Sequence, residues 1–128
     1  KTNKKMVAEK KNIEIVDNYV VGDIYLCHGH KIPEDRDFKN AKLIIIGHEH
    51  PAIAIRDRGR VEKFKCYLAG RYKDKALIVQ PSFNLLTEGT DVLSDKFLSS
   101  FLKQSVDNFN VYVVADKIRN FGKIKNIE

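Results

Sequence analysis

The segment Leu43-Ile44-Ile45-Ile46-Gly47-His48-Glu49-His50-Pro51 joins a short apolar run to two histidines. Four consecutive apolar residues followed by glycine are typical of a short strand that is buried on both faces of a sheet. An earlier strand-like run ends in a similar way, at Cys27-His28-Gly29-His30. A connection of about a dozen residues between the two runs is long enough to return the chain parallel. We therefore expect His28 and His48 at the carboxyl edge of a parallel pair, where open α/β sheets bind ligands.

The remainder of the chain predicts a β-rich domain. Its 128 residues correspond to one domain or a large part of one. Apolar or alternating runs predict further strands at residues 19–21, 24–27, 52–56, 61–71, 76–79, 111–114 and 118–127. Residues 31–41 are expected to form a short helix or an irregular crossover, and residues 81–91 a loop. The spacing of Phe97, Phe101 and Leu102 predicts a short helix over residues 95–104.

All four histidines of the chain lie in the two motifs. Neutral imidazole binds manganese, iron, zinc, cobalt or nickel, so this concentration at two strand ends predicts a metal or catalytic site. In an extended chain His48 and His50 would project to the same side. Cys27 would face away from that metal. With Cys66 it is expected to be a reduced, partly buried thiol.

The net charge of +6 favours anionic partners such as phosphate esters or nucleic acid. The excess lies near the two ends, at Lys1, Lys4, Lys5, Lys10 and Lys11, and at Lys117, Arg119, Lys123 and Lys125. Without an arginine-rich tract or an aromatic ladder, both a solvated surface and a nucleic-acid contact remain open. No apolar stretch approaches the roughly 20 residues that span a bilayer, and the first residues lack the apolar core of a signal peptide. The composition predicts a cytoplasmic protein with no membrane partner.

The stretch Leu26-Cys27-His28-Gly29-His30, followed by residues 44–51, resembles the last two motifs of the calcineurin-like metallophosphoesterases. The likeness is greatest to the archaeal branch related to the SbcD and Mre-type DNA nucleases. It extends to residues 77–84 and 89–92 and covers roughly residues 13–115. The resemblance implies an α+β fold, a four-layer α/β/β/α sandwich, of which this chain would be the β-rich C-terminal half.

The same resemblance implies roles for the histidines. The family binds two divalent metal ions, with manganese expected first and iron, zinc, nickel and cobalt as alternatives. His28 and His48 match ligands of the second metal, and His50 matches a ligand of the first. His30 matches a position without an implied ligand role, where it would line the substrate pocket or be structural. Glu49 occupies the variable position of its motif and is expected to be solvated. The leaving-group histidine of the family belongs to a motif that this chain lacks, so no catalytic residue is assigned.

Three motifs of the family, D-x-H, G-D-x-x and G-N-H-[DE], are not found in the sequence. The only Gly-Asp pair, Gly22-Asp23, precedes the strand that leads to His28 rather than following an earlier catalytic strand. We therefore expect residues 1–128 to be the C-terminal part of a single metallophosphoesterase domain. Such a part would be inactive alone, and its open strand edges would favour association with an N-terminal half or with another copy.

The predicted function is metal-dependent hydrolysis of a phosphodiester, including DNA or RNA, by a water that two metals activate. Two alternatives remain. One is a non-catalytic scaffold with a phosphoesterase fold that binds protein or nucleic acid. The other is a self-contained zinc hydrolase with three histidine ligands.

Overall fold

A computed structural model describes residues 12–84, 86, 89–94 and 96–127. The strands are β1 (Asn18–Val21), β2 (Ile24–Cys27), β3 (Leu43–Ile46), β4 (Pro51–Asp57), β5 (Arg60–Tyr72), β6 (Lys75–Val79), β7 (Thr90–Asp91), β8 (Asn110–Val114) and β9 (Ile118–Lys123). The described residues contain one α-helix, α1 (Arg36–Asn40), and two 3-10 helices, Ser100–Leu102 and Ile124–Asn126. Within those ranges, no helix has the length and apolar character needed to cross a membrane. The basic residues expected at positions 1–11 lie outside the described part.

The four-layer α/β/β/α sandwich expected from the resemblance is wrong. The described residues form a mixed nine-stranded sheet, with 45% of them in strands and 10% in helices. The polar connection over residues 31–41 contains only the five residues of α1. The helix predicted over residues 95–104 is reduced to the 3-10 turn Ser100–Leu102. Ser99 caps the start of that turn, where its side chain accepts a hydrogen bond from the backbone N–H of Phe101. Two segments this short do not form outer helical layers.

The centre of the sheet is parallel. β2 pairs with β3, and β3 pairs with β6, with Cys27, Ile46 and Val79 in register at their carboxyl ends. This confirms the parallel arrangement predicted from the two histidine-bearing strands. The full order is β1-β2-β3-β6-β5-β4-β7, and β8 and β9 extend the sheet from β5.

Strand β5 belongs to two parts of the sheet. Residues 60–65 pair with β4, whereas residues 66–72 pair with β8 and β6. Strand β9 lies at the far edge, separated from β3 by β6, β5 and β8. The basic residues around β9 are exposed. Lysine-rich edges of this kind prevent edge-to-edge pairing, which favours the solvated-surface interpretation for the C-terminal basic group.

One face of the parallel strands carries the hydrophobic core. Ile44, Ile46, Leu77 and Val79 are fully buried beneath α1 and the segment that follows β7. On the opposite face of β3, Leu43 and Ile45 are only half-buried. We expected β3 to be buried on both faces, and the structure confirms this for one face only.

Candidate functional site

The two histidine motifs meet at the carboxyl ends of β2 and β3. The backbone N–H of Gly47 donates to the carbonyl of His28 over 3.0 Å, so the ladder continues beyond both strands. The ring nitrogens His28 Nε2 and His48 Nδ1 lie 2.8 Å apart. The ring centroids are 4.7 Å apart at an interplanar angle of 69°. The structure thus brings together the two histidines that the resemblance assigns to one metal.

His30 lies beside this pair. Its ring centroid is 5.1 Å from that of His28 and 6.2 Å from that of His48, and its side chain is exposed. Gly29, between His28 and His30, has a φ of +100°, and a Cβ there would lie 2.7 Å from Cβ of Ile46. Only glycine fits this close approach, which holds the first motif against β3.

His50 is placed by an unusual backbone path. His48 and His50 both adopt left-handed conformations, with φ of 64° and 53°, and the chain bends at His48 and Glu49. The segment is therefore not extended, and the expectation that the two rings project to the same side by strand alternation is wrong. Left-handed backbone in a residue other than glycine costs about 1–2 kcal/mol and is concentrated at functional sites.

Glu49 is buried rather than solvated as expected, with 1% of its surface exposed. Its Oε1 accepts hydrogen bonds from the backbone N–H groups of Leu98 (2.8 Å) and Ser99 (2.7 Å). Its Oε2 accepts from Thr90 Oγ1 at 2.7 Å and from Leu98 N at 3.1 Å. Glu49 is thus a structural centre of the site that sequence reasoning missed.

The segment 98–100 connects the two histidine motifs. Ser99 Oγ donates to the carbonyl of Gly29, and Ser100 Oγ donates to the carbonyl of His30 over 3.1 Å. The backbone of the same segment binds Glu49 in the second motif. No sequence pattern marks this segment as part of the site, because its partners lie 49 to 70 residues away along the chain.

A loop between β6 and β7 borders the second motif. The N–H of Gln80 donates to the carbonyl of Ile46, and the N–H of Thr90 donates to the carbonyl of His50. Lys65 Nζ donates to the carbonyls of Ser82 and Asn84, each over 2.6 Å. The ends of this loop are therefore fixed to the segment that carries the histidines.

Cys27 precedes His28 at the end of β2. Burial raises the pKa of its thiol to about 11, although a hydrogen bond with the Gly29 backbone opposes that rise. The thiolate form that binds metals is therefore scarce at neutral pH.

The His28–His48 pair fits part of a metal centre. Two imidazole nitrogens on one zinc ion, each at about 2.0–2.1 Å, lie about 3–3.4 Å apart. A small rotation of either ring from the observed 2.8 Å would reach that separation. Across the described ranges, no group of three or more histidine, cysteine, aspartate or glutamate side chains is arranged to hold a metal ion. The pair supplies two candidate ligands, and the described residues do not assemble a complete set.

No protein-family model matches the chain, and no curated protein or solved structure matches it either. The function of the site is accordingly inferred from its geometry and from its motifs.

Proposed function

We propose that this chain contributes metal ligands to a metal-dependent phosphoesterase. The observation that carries the proposal is the 2.8 Å separation between His28 Nε2 and His48 Nδ1 at the ends of two parallel strands. The motif resemblance supports it independently, since it assigns the same two residues to one metal.

The histidines have separate roles in this proposal. His28 and His48 present neutral imidazole nitrogens to one metal ion. His50 binds the other metal, and His30 lines the adjacent substrate pocket. The carboxylate and asparagine ligands that this sequence lacks would come from polypeptide outside this chain.

The proposed substrate is a phosphodiester, with nucleic acid as the first candidate because the motif resemblance is greatest to a branch related to DNA nucleases. When bound, divalent metals at such a centre lower the pKa of a water molecule and stabilise charge on the phosphoryl oxygens. The residues of this chain orient the site: the tight path at Gly29 and the bonds to Glu49 hold both histidine motifs at one edge of the sheet.

A metal-free scaffold is the second candidate. A separation of 2.8 Å between ring nitrogens is also an ordinary hydrogen-bond distance. A neutral histidine pair that shares one proton would stabilise the strand ends without any metal. This favours the scaffold interpretation over a self-contained three-histidine zinc hydrolase.

Calorimetric titration of the purified protein with Mn²⁺ distinguishes the two candidates. We expect weak binding, because this chain supplies only part of the ligand set. His28→Ala and His48→Ala should each abolish it or weaken it about tenfold or more, since each removes a direct ligand. His30→Ala is the matched control and should bind nearly as wild type does. The absence of Mn²⁺ binding by the wild-type protein would support the scaffold. Hydrolysis of bis-p-nitrophenyl phosphate by this chain alone should be negligible, and easily measured turnover would contradict the need for further ligands.

A further inference from the structure

The Glu49 carboxylate lies between two residues that adopt left-handed backbone, His48 and His50. Such a conformation persists only when the surrounding contacts determine it. Here the contacts are the hydrogen bonds from Leu98, Ser99 and Thr90 to the two carboxylate oxygens. They attach the middle of the strained segment to a separate part of the chain.

The partners of Glu49 are backbone N–H groups and one hydroxyl rather than a cation. Removing a carboxylate from water costs several kcal/mol unless hydrogen bonds compensate it. A surface loop that needed only a polar residue at this position would leave it solvated. The burial at 1% exposure therefore indicates a positional function.

Ser99 extends the effect of Glu49 to the other histidine motif. Its N–H donates to Glu49, and its hydroxyl donates to the carbonyl of Gly29, beside His28. Ser99 is itself fully buried. One residue thus joins the loop that carries His48 to the loop that carries His28.

We propose that Glu49 is a positioning residue for the metal-binding histidines, acting through Ser99 to set the separation of His28 and His48. The inference rests on the proposed function, because it concerns the geometry of the same candidate site. Glu49 fixes the backbone from which His48 and His50 extend, and Ser99 fixes the backbone that carries His28.

Three substitutions separate this role from a general effect on stability. Glu49→Ala removes every bond of the carboxylate. Glu49→Gln keeps an oxygen for the N–H groups of Leu98 and Ser99 and turns its NH₂ toward Thr90 Oγ1, which accepts. Val113→Ala, in β8, truncates a buried core side chain that belongs to neither motif and serves as the destabilised control.

Mn²⁺ affinity is measured by calorimetric titration, and the coordination geometry by the visible spectrum of the Co²⁺ complex. We expect Glu49→Ala to lose about tenfold in Mn²⁺ affinity and to alter the Co²⁺ spectrum. Glu49→Gln should restore both readouts nearly to wild type. Val113→Ala should unfold at lower urea concentration yet bind Mn²⁺ as wild type does.

The proposed function and the positioning role of Glu49 fail on different outcomes. A wild-type protein that binds no Mn²⁺ refutes the proposed function. Wild-type binding that Glu49→Ala leaves unchanged, or that Val113→Ala weakens equally, refutes the positioning role alone. If Glu49→Ala does not fold, Ser99→Ala decides, since it removes only the hydroxyl bonds of Ser99. It should weaken Mn²⁺ binding severalfold, and unchanged affinity would overturn the proposal.

Discussion

Gly89 packs directly against the backbone carbonyl of His50, and the N–H of the next residue, Thr90, donates to that carbonyl over 3.0 Å. A Cβ at position 89 would overlap the oxygen, and the φ of Gly89 is +85°. The start of β7 therefore determines where His50 can lie. Substitution at position 89 should report on the second histidine motif without changing any histidine.

Gly89→Ala should destabilise the protein by about 2–4 kcal/mol, because it combines left-handed strain with overlap against backbone. It should also weaken Mn²⁺ binding by displacing the His50 segment. Gly22→Ala is the matched control, since Gly22 has a φ of +59° but open space around its Cβ. Gly22→Ala should lower the free energy of unfolding by only about 1–2 kcal/mol and leave Mn²⁺ binding intact. Urea unfolding and calorimetric titration measure both effects, and equal losses in the two variants would contradict the packing argument.

The strain at His50 can be measured by comparing two substitutions that both remove the ring. His50 has a φ of 53°, a left-handed conformation that glycine adopts without strain. His50→Gly therefore relieves the backbone strain, whereas His50→Ala retains it. We expect the glycine variant to be more stable than the alanine variant by about 1 kcal/mol in urea unfolding. Greater stability of the alanine variant would show that position 50 is unstrained. Mn²⁺ stoichiometry in both variants tests its proposed ligand role separately.

Lys75 stabilises the end of α1. Its ammonium group is buried and donates to the carbonyls of Lys39 (2.7 Å) and Ala41 (2.8 Å). Lys75→Met should lower the free energy of unfolding by about 2–3 kcal/mol, because two charge-assisted bonds are lost and the carbonyls remain buried. Lys42→Met, at an exposed neighbouring position, is the control and should change the free energy of unfolding by less than about 0.5 kcal/mol. A similar urea midpoint for both variants would argue against this role.

Cys66 should make stability fall at alkaline pH. Burial, with a smaller contribution from Asp91, raises the pKa of its thiol to about 12 from an ordinary value of 9.0. The unfolded chain therefore loses this proton first as the pH rises, and the free energy of unfolding decreases between about pH 9 and 12. Cys66→Ala should show a shallower decrease when urea unfolding at about pH 8 is compared with about pH 10. Equal decreases in the two proteins would contradict a buried, protonated thiol.

The strand framework of the site was predictable from local patterns. The apolar runs that end at Cys27 and Ile46, with a connection long enough to cross over, predicted a parallel pair, and the structure confirms it. Their histidines meet at one edge because the carboxyl ends of parallel strands coincide. This part depended only on short-range periodicity and connection length.

The contacts of Glu49 were not predictable in the same way. It occupies the variable position of the family motif, which implied a solvated side chain, whereas its partners at Leu98 and Ser99 lie 49 and 50 residues away. The left-handed backbone at His48 and His50 has no residue-level signal, because neither residue is glycine. The sandwich expected from family resemblance is wrong because the described residues supply one five-residue α-helix and two 3-10 turns, which are too short to form outer layers.

The hydrogen bonds of Ser99 span 50 residues to Glu49 and 70 residues to Gly29. Bonds of such sequence separation close long loops, so forming them costs more chain entropy than forming local contacts does. Local opening of residues 98–100 would break these bonds of Ser99 and leave the pairing of the strands intact. A protein population can therefore retain its full strand content and yet contain molecules whose two histidine motifs are no longer held together.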